Sequence, residues 1–196
     1  MFSPCRTILV VLILASGAGC GPSTPDAAST PAAPERPAPG MKWAETADFR
    51  SEIPVEWLAS PQSIAPSAVT DFTSVKSGFL IGVPRADSKT NPLPIVFSIV
   101  VVSSKMEQVK NQYALDSLIE VSRRGMLQSE ETIQVDGQPA TRIVTSHDSM
   151  KLTSYGLFAM TPRGVLAITA EYLPSEDYAL IRPDLDRFVS KLKLLP

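Results

Sequence analysis

Three regimes of hydrophobic patterning divide the chain. Residues 8–15 (Ile-Leu-Val-Val-Leu-Ile-Leu-Ala) form an unbroken apolar run, residues 21–40 show no apolar periodicity, and from about Trp43 onward strand-like and helix-like spacings alternate. Residues 49–53 alternate between apolar and polar positions and lead into Pro54-Val-Glu-Trp57. A Ser/Pro loop at 60–67 then separates them from strands predicted at 69–75 and, after Gly78, at 79–83. Residues 85–94 are polar with two prolines and read as an exposed loop. Ile95-Val-Phe-Ser-Ile-Val-Val-Val102 is apolar at nearly every position, so it is predicted to be a central strand with both faces covered.

The spacing becomes helical over 113–128, where Leu115, Leu118, Ile119, Ser122 and Met126 share one face and Gly125 weakens the last turn. Strands at 132–135 and 140–145 flank Asp136-Gly137, a strong signal for a tight hairpin turn. A second hairpin joins 152–160 to 165–173 across Thr161-Pro-Arg-Gly164, with Leu166, Ile168, Ala170 and Tyr172 on one apolar face. The chain closes with Ile181, Leu185, Phe188, Val189 and Leu192 at helical spacing. Pro183 fits a first-turn position, so this helix is expected to begin there, with 175–181 a separate turn or short helix. Two amphipathic helices and an antiparallel sheet with a doubly buried strand imply layers. The predicted class is α+β: an antiparallel sheet of about six to eight strands flanked by helices, an α-β-α sandwich spanning residues 41–196.

The apolar run near the start changes the picture of where such a domain works. Arg6, the apolar stretch and the small residues Ser16-Gly-Ala-Gly19 have the three-part layout of a secretory signal over residues 1–19. Eight apolar residues are well short of the roughly 20 needed to span a bilayer. Gly17-Ala18-Gly19-Cys20 resembles a lipobox, which implies lipidation of Cys20 after cleavage and a membrane attachment through that lipid; position 17 is Gly where the motif favours Leu. Cleavage by an ordinary signal peptidase among the same small residues would instead release a soluble protein. Residues 21–40 hold six prolines and five alanines, a tether that polyproline II geometry extends to about 60 Å. Whether it gives reach across an envelope compartment or only clears the headgroups stays open.

Composition narrows the function. The two cysteines are Cys5, in the signal, and Cys20, which leaves the domain without a thiol, a disulfide or a thiolate metal site. Of 18 basic and 20 acidic side chains, only Arg6 lies in the signal, so the mature balance of 17 against 20 is about −3, with no reason to expect nucleic acid.

Phe49-Arg-Ser-Glu-Ile-Pro-Val-Glu-Trp57, Val135-Asp-Gly-Gln-Pro-Ala-Thr-Arg142 and the terminal helix over 184–195 resemble the PsbP-like superfamily, which also includes the DcrB-type envelope lipoproteins. The resemblance covers residues 44–195; Glu56 stands where the family's corner often has Gly. It implies a central antiparallel sheet between helices and a non-enzymatic accessory or binding role, with no particular partner.

No catalytic residue, metal ligand or cofactor site is expected. His147 is the single histidine, and Asp148, its neighbour on a strand, points to the other face, so a solvated turn residue is predicted. The pairs Glu130-Glu131, Glu176-Asp177 and Asp184/Asp186 lack the oxygen count calcium requires; Glu176, Asp177, Asp184 and Asp186 fit a helix N-terminus instead. Trp57 is expected to close the core. Two polar segments remain as candidate partner-binding surfaces: the loop carrying Arg85, Asp87, Lys89 and Asn91, and the rim at 105–112. The expected role is an anchored envelope module docking on a protein partner; a small-molecule or lipid binder with an apolar pocket between helix and sheet is the alternative.

Overall fold

The computed structural model describes residues 36–61, 73–85, 93–104 and 110–196. Ten strands run in chain order: β1 (Met41–Glu45), β2 (Phe49–Pro54), β3 (Leu58–Pro61), β4 (Thr73–Val83), β5 (Ile95–Ser104), β6 (Met126–Val135), β7 (Gln138–His147), β8 (Leu152–Thr161), β9 (Gly164–Pro174) and β10 (Lys193–Leu194). Helix α1 (Asn111–Ser122) follows β5 and helix α2 (Ser175–Lys191) follows β9. Seven strands form one antiparallel sheet in the order β3-β4-β5-β9-β8-β7-β6, and β1-β2-β10 form a smaller one.

Period-two alternation assigns the layers. On β5, Val100 and Val102 pack with Ala114 and Leu118 of α1, Phe158 of β8 and Ala167 of β9. Ile99 and Val101 face the other way, toward Leu166 and Ile168 of β9 and toward Ile181, Leu185 and Phe188 of α2. The main sheet therefore lies between α1 on one face and α2 with the small sheet on the other, which is the layered α+β arrangement predicted. β5 is an interior strand, buried at Val100, Val101 and Val102.

The small sheet closes the α2 layer. β2 buries alternate residues Phe49, Ser51 and Ile53, and Ser51 Oγ donates to the Phe188 carbonyl of α2 at 3.1 Å. After the corner, Trp57 is buried with its ring edge-to-face on Phe97 at 6.0 Å, and Phe97 contacts Phe188 at 5.5 Å. Trp57 thus closes the core, as expected.

Several predicted boundaries move. Residues 58–61, assigned partly to a loop, form the edge strand β3. Strands predicted at 69–75 and 79–83 are, within the described residues, one strand, β4, with a bulge between Val75 and Ser77. Helix α1 ends at Ser122; Gly125 has φ 140° and turns the chain, so Met126 lies on β6 and is exposed. Asp136 (φ 48°) and Gly137 (φ 78°) both occupy the left-handed region, the requirement of a type I′ turn, and deliver the β6–β7 hairpin as predicted.

The largest difference is α2, which is continuous across Pro183. The buried positions Asp177, Ile181, Leu185 and Phe188 run along one face on both sides of the proline, while Pro183 and Ala179, whose carbonyl loses its helical partner, are exposed to water. An interior proline costs about 3 kcal/mol, and burial of each large apolar side chain contributes about 1.5–3 kcal/mol, so packing outweighs the break. Asp184 and Asp186 are consequently mid-helix residues, not first-turn acids; Asp184 pairs with Arg187 at 2.6 Å and Asp186 with Arg142 at 2.8 Å.

Candidate functional site

A cleft opens at the end of α1, where three irregularities coincide. Gly125 turns the chain out of the helix, and a Cβ there would stand 3.0 Å from Cε1 of His147. Opposite, the β8–β9 register shifts between Thr153 and Tyr155, so that Glu171 and Tyr172 together face Ser154. Tyr172 has φ 53° at this bulge, and its N–H donates to Ser154 Oγ at 3.1 Å. A bulge re-aims the side chain it carries. Tyr172 is accordingly exposed rather than part of the apolar face of Leu166, Ile168 and Ala170, and its ring lies 5.0 Å from that of His147. His147 ends β7 and is half-buried, so it is not the solvated turn residue expected; the 3₁₀ turn Asp148–Met150 follows it.

The cleft measures about 200 Å³ and lies between the C-terminal end of α1 and the sheet, with Ser122, Arg124, Thr145, His147, Glu171 and Tyr172 among its walls. Gly156 forms its floor, and an added Cβ would meet the Phe158 ring at 2.7 Å and Ser122 Oγ at 3.3 Å. Thr169 is buried beside it, its hydroxyl 2.7 Å from that of Ser98. One imidazole, one guanidinium, one carboxylate and several hydroxyls line it beside Val121 and Gly156, so its lining is mixed, unlike the apolar pocket expected between helix and sheet.

On the other face, Arg142 locks α2 to the sheet. Its guanidinium bridges Glu131 of β6 at 2.9 Å and Asp186 of α2 at 2.8 Å. A groove of about 470 Å³ runs alongside, bounded by Gln128, Glu131, Tyr178 and Arg182. Tyr155 is buried beneath this network with its ring 6.2 Å from Tyr178, and loss of hydration raises the pKa of its hydroxyl far above the ordinary range.

The predicted binding loop is fixed at its base. Both terminal nitrogens of Arg85 donate to the carboxylate of Asp177, in the first turn of α2, and Arg85 Nε donates to the Leu93 carbonyl at 3.0 Å. Asp177 is 2% exposed, so this is a bidentate pair with one partner fully withdrawn from water. It ties the start of the loop, its return and a helix end together. Asp87, Lys89 and Asn91 lie outside the described residues, as does Cys20. Of the second polar segment, residues 105–109 are outside as well. Its described end is fixed by Asn111, whose side-chain oxygen accepts from the Ser104 N–H at 3.3 Å. The loops leave opposite ends of β5, whose ten residues span roughly 33 Å. The sequence marks Asp177 only as a helix-terminal acid; its pairing with a residue 92 positions away has no local signal. The cleft has none for a related reason, since a bulge follows from register and not from composition.

Among the described residues, no group of three His, Cys, Asp or Glu side chains is arranged to hold a metal ion. No helix among them is long and apolar enough to cross a membrane, which leaves β-barrels unaddressed.

No protein-family model matches the chain, and no curated protein matches it. Among solved structures it is similar to the cyanobacterial PsbP (CyanoP) of Synechocystis sp. PCC 6803, with a TM-score of 0.48 and 9% identity over 79% of this chain and 92% of that one. It is also similar to PA94 of Pseudomonas aeruginosa, a protein of unknown function (TM-score 0.41, 14% identity, 80% and 98% covered). A third is LpqN of Mycobacterium tuberculosis, described as involved in cell envelope biogenesis (TM-score 0.42, 17% identity, 70% and 86% covered). At such identities and scores these likenesses assign no activity, ligand or partner.

Proposed function

We propose that the protein is a membrane-anchored extracytoplasmic lipoprotein whose domain is a non-enzymatic accessory module, docking on an envelope protein partner through the loop at 86–92. The signal-like start, Cys20 and the proline-rich tether support the anchor. The observation that carries the docking surface is the Arg85–Asp177 pair with the Arg85–Leu93 hydrogen bond, which holds both ends of that loop on the rigid α2 and sheet scaffold. A polar loop with a fixed base presents its side chains at lower entropic cost than a free one.

In-cell crosslinking of the wild-type chain beside Cys20→Ala and a deletion of residues 86–91 tests this. One stoichiometric envelope partner, lost in both variants, is expected. A partner retained by the deletion variant would overturn the loop as the docking surface.

The cleft at His147 and Tyr172 favours a second reading, a small-molecule binder. Its expected sign is a thermal stabilisation that grows with ligand concentration and disappears in a Tyr172→Gly variant, which keeps the backbone conformation and removes the ring.

A further inference from the structure

β6 is the long edge strand of the main sheet, ten residues against four for β3 at the other edge, and no described strand pairs with its outer side. The two-residue turn at Asp136-Gly137 determines which of its backbone groups face outward. In such a hairpin the flanking pair, Val135 with Gln138, exchanges both hydrogen bonds. Val135, Ile133 and Glu131 therefore direct their N–H and C=O groups to β7, and Gln134, Thr132 and Glu130 direct theirs to the open edge. Pro139 agrees with this assignment: it stands opposite Gln134 in a pair that exchanges no hydrogen bond, so its missing N–H costs the hairpin nothing.

Exposed edges of this length are usually blunted by lysine, proline or unpaired charge. Residues 126–135 contain no lysine, arginine or proline. Both glutamates are ion-paired within the chain, Glu130 with Arg123 at 2.5 Å and Glu131 with Arg142 at 2.9 Å, so neither points a free charge off the edge. Met126 and Leu127 at the start of the strand are about half exposed.

We infer that β6 pairs antiparallel with β6 of a second copy of this chain about a two-fold axis at Thr132, joining two seven-stranded sheets into one. Charge, together with the positions of the turn and of the bulge in β6, selects that register. An axis at Glu130 or at Glu131 sets glutamate directly against glutamate, which is destabilising across strands. One at Ile133 sets Glu130 against Asp136 of the other copy, and one at Gln134 runs Thr132 into the turn. An axis at Ser129 centres the pairing on the bulge between Leu127 and Ser129. The axis at Thr132 leaves no like charges opposed and keeps both the bulge and the turn away from the centre of the pairing: Thr132 meets Thr132, Glu130 meets Gln134, and Glu131 meets Ile133. A two-fold axis normal to the sheet also keeps α1 of both copies on one face and α2 on the other, so the interface is isologous and closed.

The test uses the full chain with Cys5→Ser and Cys20→Ser, so that an introduced cysteine is the only thiol. Residues 132 in a hydrogen-bonded antiparallel pair stand about 5.5 Å apart between Cα atoms, within disulfide range. Thr132→Cys is expected to give a covalent dimer on mild oxidation, and Ile133→Cys and Gln134→Cys to remain single chains. Without the introduced cysteine, sedimentation is expected to show twice the chain mass at on the order of 100 μM, since strand-edge interfaces lie at the small end of the specific range. Thr132→Pro removes only an outward N–H and is expected to sediment as one chain with an unchanged circular dichroism spectrum. A single-chain mass for the parent protein at that concentration, or crosslinking strongest at residue 133, would overturn the proposal.

Discussion

At the residue scale, the Arg85–Asp177 pair is the contact on which the candidate loop depends. Removing one partner of a buried pair leaves the other charge without compensation, so Asp177→Asn is expected to cost about 3 kcal/mol, read as a lower denaturant midpoint. Glycines give a sharper comparison. Gly137 has positive φ but no atom within 4 Å of an added Cβ, whereas a Cβ on Gly164 would lie 2.1 Å from the Val102 carbonyl oxygen. Gly137→Ala is expected to lose about 1 kcal/mol, the cost of left-handed backbone, and Gly164→Ala to lose several times more because β5 and β9 must separate. Equal midpoints for the two would contradict the packing described here. Asp136 provides a pH signature. The N–H of Leu194, and secondarily Lys193, hold its carboxyl below the ordinary value of 3.8. A depressed folded-state pKa contributes stability that is fully present above that ordinary value and lost as pH falls through the folded one. Asp136→Asn is therefore expected to flatten the acid limb of the stability curve, measured by denaturation at pH 7 and pH 3. The turn formed by Asp136-Gly137 was legible from two letters. The carboxylate's hold on β10 was not, because its partner lies at the far end of the chain.

At the element scale, β-strands with clean alternation or a long apolar run were readable, and helix ends were not. β5 and the two hairpins appear where their patterns place them. The helical spacing predicts α1 six residues too long, because Met126 fits its period, whereas Gly125, expected only to weaken the last turn, ends it. The sequence pattern predicts α2 too short, because Pro183 is a strong local signal and the buried stripe from Asp177 to Phe188 a stronger tertiary one. Pro183→Ala is expected to stabilise the protein, by up to about 3 kcal/mol, with no change in fold. A loss of stability there would mean that the proline shapes the helix in a way the exposed face does not show. The cleft illustrates the same limit, since its walls come from α1, β7, β8 and β9, and Tyr172 joins them only because a bulge redirects it.

At the scale of the whole molecule, the predicted sandwich is present: a seven-stranded antiparallel sheet with α1 on one face and α2 with a three-stranded sheet on the other. The layered class followed from two helical stripes and a doubly buried strand, whereas β1, β3 and β10 were not predicted as strands because short edge strands carry little pattern. The proposed role depends on joining this domain to a membrane through residues 20–40. The most direct measurement is the mass of the N-terminal peptide of the protein recovered from bacterial membranes, compared with a Cys20→Ala variant. A diacylglyceryl group on Cys20, with the variant no longer processed there and no longer carrying lipid, is the expected result. An unmodified Cys20, or a soluble product cleaved at another small residue, would contradict the anchored module.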